Sequence, residues 1–175
     1  MNVEDMTKKA IKIANKLVEI SQQLPSNENP EKKGGFLTIG LDEFSVKKVL
    51  DIGTYDNSKK EKYRIFSQEK AHRLYSDWLR NQLQTVSSWQ TRNEKENKYG
   101  GAVLFEYPNQ VGIMSCNIIS FSGLNEHCDE ALSLCMGYHL GFSRNRAGLT
   151  QRIISISNNM VFGEMFSTSL DLIHQ

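Results

Sequence analysis

Strand-like runs of this chain occur as two close pairs, and a segment with helical periodicity precedes each pair. The first pair is residues 36–41 and 46–55, and the second pair is residues 102–107 and 111–121. Connections this short join antiparallel strands, because a parallel pair needs a crossover of about a dozen or more residues. The chain therefore predicts an α+β fold, with helices flanking a mostly antiparallel sheet, rather than a doubly wound parallel sheet.

Three segments have the apolar spacing of amphipathic helices. The first has apolar residues at alternating steps of four and three, namely Met6, Ala10, Ile13, Leu17, Ile20 and Leu24. The second is predicted over residues 67–88, with Ser67 as its N-cap. The third begins after Asn125, another expected N-cap, and ends near Gly141, which suits the left-handed residue that closes a helix.

Two further segments complete the predicted architecture. Residues 63–66 are interpreted as a short extended segment and residues 152–157, RIISIS, as a final strand. We therefore expect a single domain over residues 1–175, with about five strands and three or four helices in a profilin-like arrangement. Residues 25–35 are predicted to form a polar loop, and residues 158–175 a tail whose structure the pattern leaves open.

Charge and hydropathy narrow the classes of protein to consider. The net charge of +1 provides no electrostatic basis for nucleic-acid binding. No apolar run approaches the ~20 residues that span a bilayer, and the N-terminus lacks the apolar region and cleavage site of a secretory signal. Three cysteines without a C-x-x-C spacing argue against a disulfide framework or a zinc knuckle and favour a reducing compartment, the cytoplasm.

The stretch 118–142 runs from a strand into a helix and is rich in histidine and cysteine, which raises the question of a metal site. On a helix, the eight-residue separation of His127 and Cys135 corresponds to about 12 Å of rise. Zinc ligands lie ~2.0–2.3 Å from the ion, so these two side chains are too far apart to share one. Cys135 and His139 could share an ion but supply only two ligands, and a zinc site is therefore disfavoured.

A catalytic thiol is a separate hypothesis. Cys128 lies in the first turn of its predicted helix, where the helix dipole lowers a thiol pKa. It also lies on the apolar stripe and next to Asp129 and Glu130, whose negative charges oppose a thiolate. A buried cysteine is therefore the favoured interpretation, and an enzyme that uses Cys128 or His127 stays open as an alternative.

Two other features have competing structural and functional interpretations. His72 follows Ala71 in the second predicted helix, where it either flanks the core or is exposed, and a role as a haem ligand is the alternative. Arg144 and Arg146 follow the third helix, where cations complement the negative end of the helix dipole. A carboxylate- or phosphate-binding role is the alternative for these two arginines.

The order of motifs in the second half of the chain resembles the haem-binding HbpS/GlcG-like family. Its pattern is a glycine pair before a strand, a hairpin strand ending in Ser-Gly, and an acidic pair that opens the last helix. The matching positions are Gly100-Gly101, Phe121-Ser122-Gly123 and Asp129-Glu130, and the similarity extends over about residues 3–142. Tyr99 stands where the family usually has proline, and Ser120 where it usually has a small residue.

The resemblance implies a profilin-like fold and, for some members of the family, a haem or corrinoid ligand. No ligand residue carries over by a motif match, but Gly100, Gly101, Ser122 and Gly123 are expected to border a ligand pocket or a subunit contact. The expected function is a non-enzymatic cytoplasmic domain that binds a small ligand or forms a homo-oligomer. The alternatives are a protein-interaction scaffold of the longin or roadblock type and an enzyme with a cysteine or histidine in residues 122–139.

Overall fold

The computed structural model describes residues 2–81, 84–143 and 145–170. Its helices are α1 (Val3–Ser21), α2 (Lys60–Arg80), α3 (Glu126–His139), α4 (Arg146–Ser157) and α5 (Val161–Ser169). Its strands are β1 (Lys33–Leu41), β2 (Val46–Thr54), β3 (Ala102–Pro108) and β4 (Met114–Ser122). Single 3₁₀ turns cover Asn57–Lys59, Ser88–Thr91 and Glu94–Glu96. The predicted α+β class is confirmed.

The four strands form one antiparallel sheet in the order β2-β1-β4-β3. Both predicted hairpins are present, and β1 pairs with β4 so that Phe36 lies opposite Ser122. β2 and β3 are the outer strands of the sheet. The sheet has four strands instead of about five, and the described residues contain five α-helices instead of three or four.

Helices cover both faces of the sheet. On one face, α2 packs against the side chains of Ala102, Leu104, Cys116 and Ile118. The other face, which includes Val103 and Ile119, forms a larger core with α1, α3, α4 and α5. Adjacent residues of β3 and β4 contribute to different clusters because successive strand side chains point to opposite faces. None of the helices in the described ranges is long and apolar enough to cross a membrane.

The prediction of a strand over residues 152–157 is wrong, because this segment is the second half of α4. Asn145 caps the helix by accepting a hydrogen bond from the Gly148 amide, 3.0 Å away, and Asn158 ends it in the left-handed conformation. Ile153 and Ser157 are buried, and their four-residue spacing places them on one face of a helix. Packing of that face against the core outweighs the strand preference of a segment with three isoleucines.

The prediction of an extended segment at residues 63–66, with an N-cap at Ser67, is also wrong. These residues lie inside α2, which the 3₁₀ turn Asn57–Lys59 precedes directly. Asp56 caps that turn by accepting a hydrogen bond from the Ser58 amide. Ser67 is buried against the sheet instead, with its hydroxyl 2.8 Å from that of Thr38. α2 ends at Arg80, earlier than the predicted residue 88.

Other predicted boundaries shift by a few residues. β1 begins at Lys33, inside the predicted loop 25–35, because Gly34 and Gly35 pair with residues of β2. β4 begins at Met114 because residues 109–113 form the turn of the second hairpin. The predicted N-cap at Asn125 and the left-handed Gly141 are confirmed. In the tail 158–175, α5 packs on the core, and residues 171–175 lie outside the described residues.

Candidate functional site

A buried ion pair joins the two helical layers at one end of the sheet. The ammonium nitrogen Nζ of Lys70, on α2, lies 2.9 Å from Oδ2 of Asp129, on α3. Only 2% and 4% of these side chains are exposed. Nζ also donates to the carbonyl oxygen of Phe121 at 3.0 Å, and Oδ1 of Asp129 accepts from the amide of Leu124 at 3.0 Å. These hydrogen bonds satisfy charges that burial would otherwise penalise.

Gly101 provides the space in which this ion pair forms. A Cβ atom at Gly101 would lie 2.8 Å from Nζ of Lys70 and 2.7 Å from Cβ of Asp129. The φ of +123° at Gly101 is also one that residues with a side chain rarely adopt. The packing of α2, α3 and β3 against one another therefore requires glycine at position 101, the second residue of the Gly-Gly motif.

A second close backbone contact lies beside the ion pair. A Cβ at Gly123 would lie 2.2 Å from the carbonyl oxygen of Gly34, and one at Gly35 would lie 2.0 Å from the carbonyl oxygen of Ser122. The end of β4 and the start of β1 thus approach with their backbones in contact. Gly123 has a φ of +149°, at the point where the chain leaves β4 for α3.

A cleft of about 470 Å³ opens at this contact. Its wall includes Gly123, the start of β1, the segment that follows β2, and the first turns of α2. This volume falls within the ~300–1,000 Å³ range of small-molecule sites in proteins. The cleft is the candidate functional site because it lies at the Ser-Gly joint that the sequence singles out.

Aromatic rings form one side of the cleft. Tyr55 and Tyr63 line it, with ring centroids 5.7 Å apart in an edge-to-face arrangement. Behind them, the Phe36 ring lies 5.9 Å from that of Tyr55. Such pairs are favourable beyond their buried area and hold the rings in fixed orientations. The cleft therefore offers a preformed aromatic surface.

The two tyrosine hydroxyls differ in their hydrogen bonding. The Tyr55 hydroxyl donates to Oδ1 of Asp51 at 2.7 Å, and burial together with Asp51 raises its pKa to about 12. The Tyr63 hydroxyl makes no hydrogen bond with any residue in the described ranges. Burial, and then the negative charges of Asp129 and Asp56, raise the pKa of Tyr63. The Tyr63 hydroxyl therefore stays protonated at neutral pH and can donate to a ligand.

Lysines supply the positive charge of the cleft. Lys32, Lys33 and Lys59 line it, and within the part of the chain that the structure describes none of them makes an ion pair. Nζ of Lys32 donates to the carbonyl oxygen of Leu124 at 3.3 Å. Two acids, Glu31 and Asp56, also line the cleft, which leaves the lining with an excess of one positive charge.

The structure separates the four positions that the sequence assigned to ligand binding. Gly123 lines the cleft, whereas Gly101 packs against the ion pair and Ser122 is buried in β4. Gly100 packs against the Trp89 indole, and its amide donates to Glu126 at 3.0 Å. A ligand-binding role for these four positions stays a prediction.

Sequence reasoning missed the side chains that line the cleft. Lys59 ends the 3₁₀ turn before α2 and Tyr63 lies in the first turn of α2, where the sequence pattern predicts a loop and a short extended segment. A helix predicted from residue 60 would have put Tyr63 and Lys70, seven residues apart, on the same helical face. Lys32 belongs to the polar loop, and nothing in its local sequence distinguishes it from the other surface lysines.

All three cysteines of the chain are buried. Cys128 and Cys135 are fully buried in α3. Burial and the neighbouring Asp129 raise the pKa of Cys128 to about 12, and burial raises that of Cys135 as well. Burial and Glu43 raise the pKa of Cys116 to about 12. Inaccessible thiols with raised pKa values are unsuited to nucleophilic attack.

The three histidines of the described residues are each engaged in ring stacking or a hydrogen bond. His127 stacks on Trp89, with ring centroids 4.8 Å apart, and its Nε2 lies 3.0 Å from the carbonyl oxygen of Ser157. Nε2 of His139 lies 2.9 Å from the Ser169 hydroxyl. His72 is exposed and stacks on Phe44 at 4.6 Å. Among residues 2–81, 84–143 and 145–170, no group of three or more histidine, cysteine or acidic side chains could hold a metal.

Arg146 contributes to the end of α3, as the structural interpretation of this residue predicted. Its Nη2 donates to the carbonyl oxygen of Tyr138 at 3.1 Å, in the last turn of α3. The guanidinium also lies over the Tyr138 ring, 5.6 Å from its centroid. Arg144 lies outside the described residues.

A second buried carboxyl group lies away from the cleft. Glu130 on α3 is fully buried, and the Ser87 and Ser157 hydroxyls and the side-chain amide of Asn159 form hydrogen bonds with its carboxyl oxygens. No cationic side chain of the described residues lies within ion-pair distance of the Glu130 carboxyl, and burial raises the pKa of Glu130. Glu130 thus connects α3 to the loop after α2 and to the end of α4.

Comparisons of this chain with protein-family models, with curated proteins and with solved structures found no match of any of the three kinds.

Proposed function

We propose that this chain is a small-ligand-binding domain whose ligand is an anion held in the cleft beside Gly123. The observation that carries the proposal is the convergence of Lys32, Lys33 and Lys59 on one concave site, none of them paired with an acid in the described residues. Cationic side chains that converge on a cleft attract anions and lose little of their interaction to internal ion pairs.

The Tyr63 hydroxyl adds a directional donor to this positive site. It lines the cleft without a hydrogen-bond partner in the described ranges, and its raised pKa keeps the proton in place. A hydrogen bond to a charged acceptor is stronger than one between neutral groups. The proposal concerns binding without a catalytic step, because the three cysteines are buried thiols with raised pKa values and supply no activated nucleophile.

The test is a titration of ¹⁵N-labelled protein with benzoate, monitored by amide chemical shifts. Perturbation is expected at Gly34, Tyr63 and Gly123, which line the cleft. Replacing Lys32 and Lys59 together by alanine is expected to weaken binding about tenfold or more. Lys12→Ala is the matched control, because Lys12 is an exposed lysine of α1, which packs on the face of the sheet opposite α2.

A uniform response across the surface, or equal affinities for the Lys32/Lys59 double variant and the Lys12→Ala control, would refute the proposed site. A response confined to residues that line the cleft, and lost in the double variant, would support it.

The resemblance to the HbpS/GlcG-like family suggests haem and corrinoids as specific ligands. Membership of that family is itself a proposal. Both ligands contain a conjugated ring system, which agrees in kind with the aromatic side of the cleft. Absorbance spectra recorded during titration with haem and with cobalamin test this directly. An unchanged ligand spectrum at high micromolar protein would remove that pair of ligands.

A second candidate function, an oligomerising scaffold of the longin or roadblock type, is favoured by the outer edge of β2. Among the described strands, this nine-residue strand pairs only with β1, and Val46, Val49 and Leu50 are half-buried on it. An open strand edge can pair with the edge of a second chain. Size-exclusion chromatography with light scattering tests this candidate, and a strict monomer over a hundredfold range of concentration would refute it.

A further inference from the structure

The class of anion can be inferred from the charges, the capped turn and the aromatic wall of the cleft. We infer that the ligand is an aromatic monocarboxylate, with its ring against Tyr55 and its carboxylate between Lys59 and the Tyr63 hydroxyl. This inference rests on the proposed function, since it specifies the ligand of the same cleft.

The charge balance of the lining favours a single negative charge. Three lysines face two acids, Glu31 and Asp56, so the lining carries one excess positive charge. A monoanion neutralises this excess, whereas a dianion adds a second negative charge close to both carboxylates. Like charges placed together without a counter-ion are unfavourable in a partly enclosed site.

The helical turn at the edge of the cleft is not available to a phosphate group. Phosphates typically bind free backbone amides at a helix N-terminus. In this turn, the Ser58 amide donates to Oδ1 of Asp56 and the Lys59 amide to the Asp56 carbonyl oxygen, each at 2.9 Å. The turn is therefore already capped by a carboxylate, and an incoming anion must be bound by side chains.

The aromatic side of the cleft suits a flat ring. Tyr55 and Tyr63 are half-buried, line the cleft and are held in an edge-to-face pair, with the Phe36 ring behind Tyr55. An aromatic ligand can extend this row by stacking or by an edge contact, which a saturated ring of the same size makes less well. The cleft therefore distinguishes planar from puckered rings.

Tyr63 connects the two parts of the inferred site. It belongs to the aromatic wall, and its hydroxyl is the one donor of the wall with no hydrogen bond in the described ranges. A carboxylate attached to a ring against Tyr55 can accept from this hydroxyl while it pairs with Lys59. We therefore assign Tyr63 as the specificity-determining residue for carboxylate over neutral ligands.

Isothermal titration calorimetry with four small ligands tests the inference on the full chain. The ligands are benzoate, benzamide, cyclohexanecarboxylate and phenyl phosphate. Benzoate is expected to bind most tightly, with benzamide weaker by about tenfold or more because it lacks the charge. Cyclohexanecarboxylate and phenyl phosphate are each expected to bind several-fold more weakly than benzoate.

Two conservative variants assign the effects to residues. Tyr63→Phe is expected to weaken benzoate binding about tenfold and benzamide binding by a smaller factor, because a neutral carbonyl oxygen accepts a weaker hydrogen bond than a carboxylate does. Tyr55→Leu is expected to abolish the preference for benzoate over cyclohexanecarboxylate. Tyr75→Phe is the matched control, because Tyr75 lies further along α2 and bonds to Glu43, away from the cleft.

The outcomes separate the inference from the proposed function. If none of the three anions binds, the proposed function fails. If cyclohexanecarboxylate binds as tightly as benzoate, the cleft binds anions but the aromatic assignment is wrong. Tighter binding of phenyl phosphate would overturn the monocarboxylate assignment, and equal effects of Tyr63→Phe and Tyr75→Phe would overturn the role of Tyr63.

Discussion

Lys70 and Asp129 belong to helices on opposite faces of the sheet, yet their charged groups lie 2.9 Å apart. The side chains meet around the end of the sheet, where Gly101 has no Cβ to separate them. Lys70 also donates to the carbonyl oxygen of Phe121 near the end of β4, and Asp129 accepts from the amide of Leu124 in the loop that follows. One ion pair thus fixes both helical layers and the joint that borders the cleft.

Removing one charge of this pair is expected to destabilise the protein strongly. Lys70→Met leaves the Asp129 carboxylate buried without a counter-ion, which typically costs about 3–5 kcal/mol. The double variant Lys70→Met/Asp129→Leu is expected to lose much less than the sum of the two single variants, because neither charge remains. Urea denaturation of the four proteins measures this coupling, and additive losses would contradict a direct interaction.

A side chain at Gly101 is expected to disrupt the same contact. Gly101→Ala introduces a Cβ 2.8 Å from the Lys70 ammonium at a φ of +123°, and a loss of about 2 kcal/mol or more is expected from strain and displacement. Gly163→Ala is the control, because Gly163 lies in α5 with no atom within 4 Å of a Cβ placed there. In the helix this control is expected to gain up to about 1 kcal/mol.

The two glycine variants are compared by thermal and urea unfolding. Equal effects of the two substitutions would contradict the packing role of Gly101. A loss in Gly101→Ala that persists when Lys70 is also replaced by methionine would assign it to the backbone conformation and the contact with Cβ of Asp129 rather than to the Lys70 ammonium.

Glu130 is expected to make stability fall as the pH rises. Burial raises its pKa above the ordinary value of 4.5 in the folded protein, so the folded state retains a proton that the unfolded chain has released. The stabilisation from this proton is fully present below the unfolded pKa and is lost as the pH rises through the folded pKa.

Glu130→Gln isolates this contribution, because all other titrating groups are present in both proteins. The free energy of unfolding of the parent protein minus that of the variant is expected to decrease from about pH 4 upward, in the window that begins at the ordinary glutamate pKa. Urea denaturation from pH 4 to pH 8 measures the difference. A difference that is constant across this range, or that increases with pH, would show that the folded protein does not retain the proton.

The thiols are expected to react slowly in the folded protein. With the pKa of Cys128 raised from 9.0 to about 12, its thiolate fraction at pH 8 is lower by about a thousandfold, and burial adds a steric barrier. Labelling with a thiol-reactive disulfide in the native protein and in urea, followed by peptide mapping, measures the ratio of the native to the unfolded labelling rate of each cysteine. Native labelling of Cys128 at the rate of the unfolded chain would revive the hypothesis of a catalytic cysteine.

The periodic parts of the fold were predictable because their signals are local. The stripe from Met6 to Leu24, the two hairpins, and the caps at Asn125 and Gly141 each depend on residues close in sequence. The prediction of a strand over residues 152–157 is wrong because the isoleucines favour a strand locally. Burial of Ile153 and Ser157 on one face makes the segment a helix instead. The start of α2 was missed because its cap, Asp56, acts through a 3₁₀ turn rather than at the helix itself.

The sequence by itself determined the α+β class, the two hairpins, and the position of the joint at Ser122-Gly123, since each depends on periodicity or on the conformations open to nearby residues. Only the tertiary structure decided that Gly101 makes room for an ion pair and that Gly123 lines a cleft. Lys70 and Asp129 are 59 residues apart in the sequence, and Lys32 and Leu124 are 92 residues apart. No local pattern encodes such distances, because antiparallel pairing and layer packing bring these side chains together.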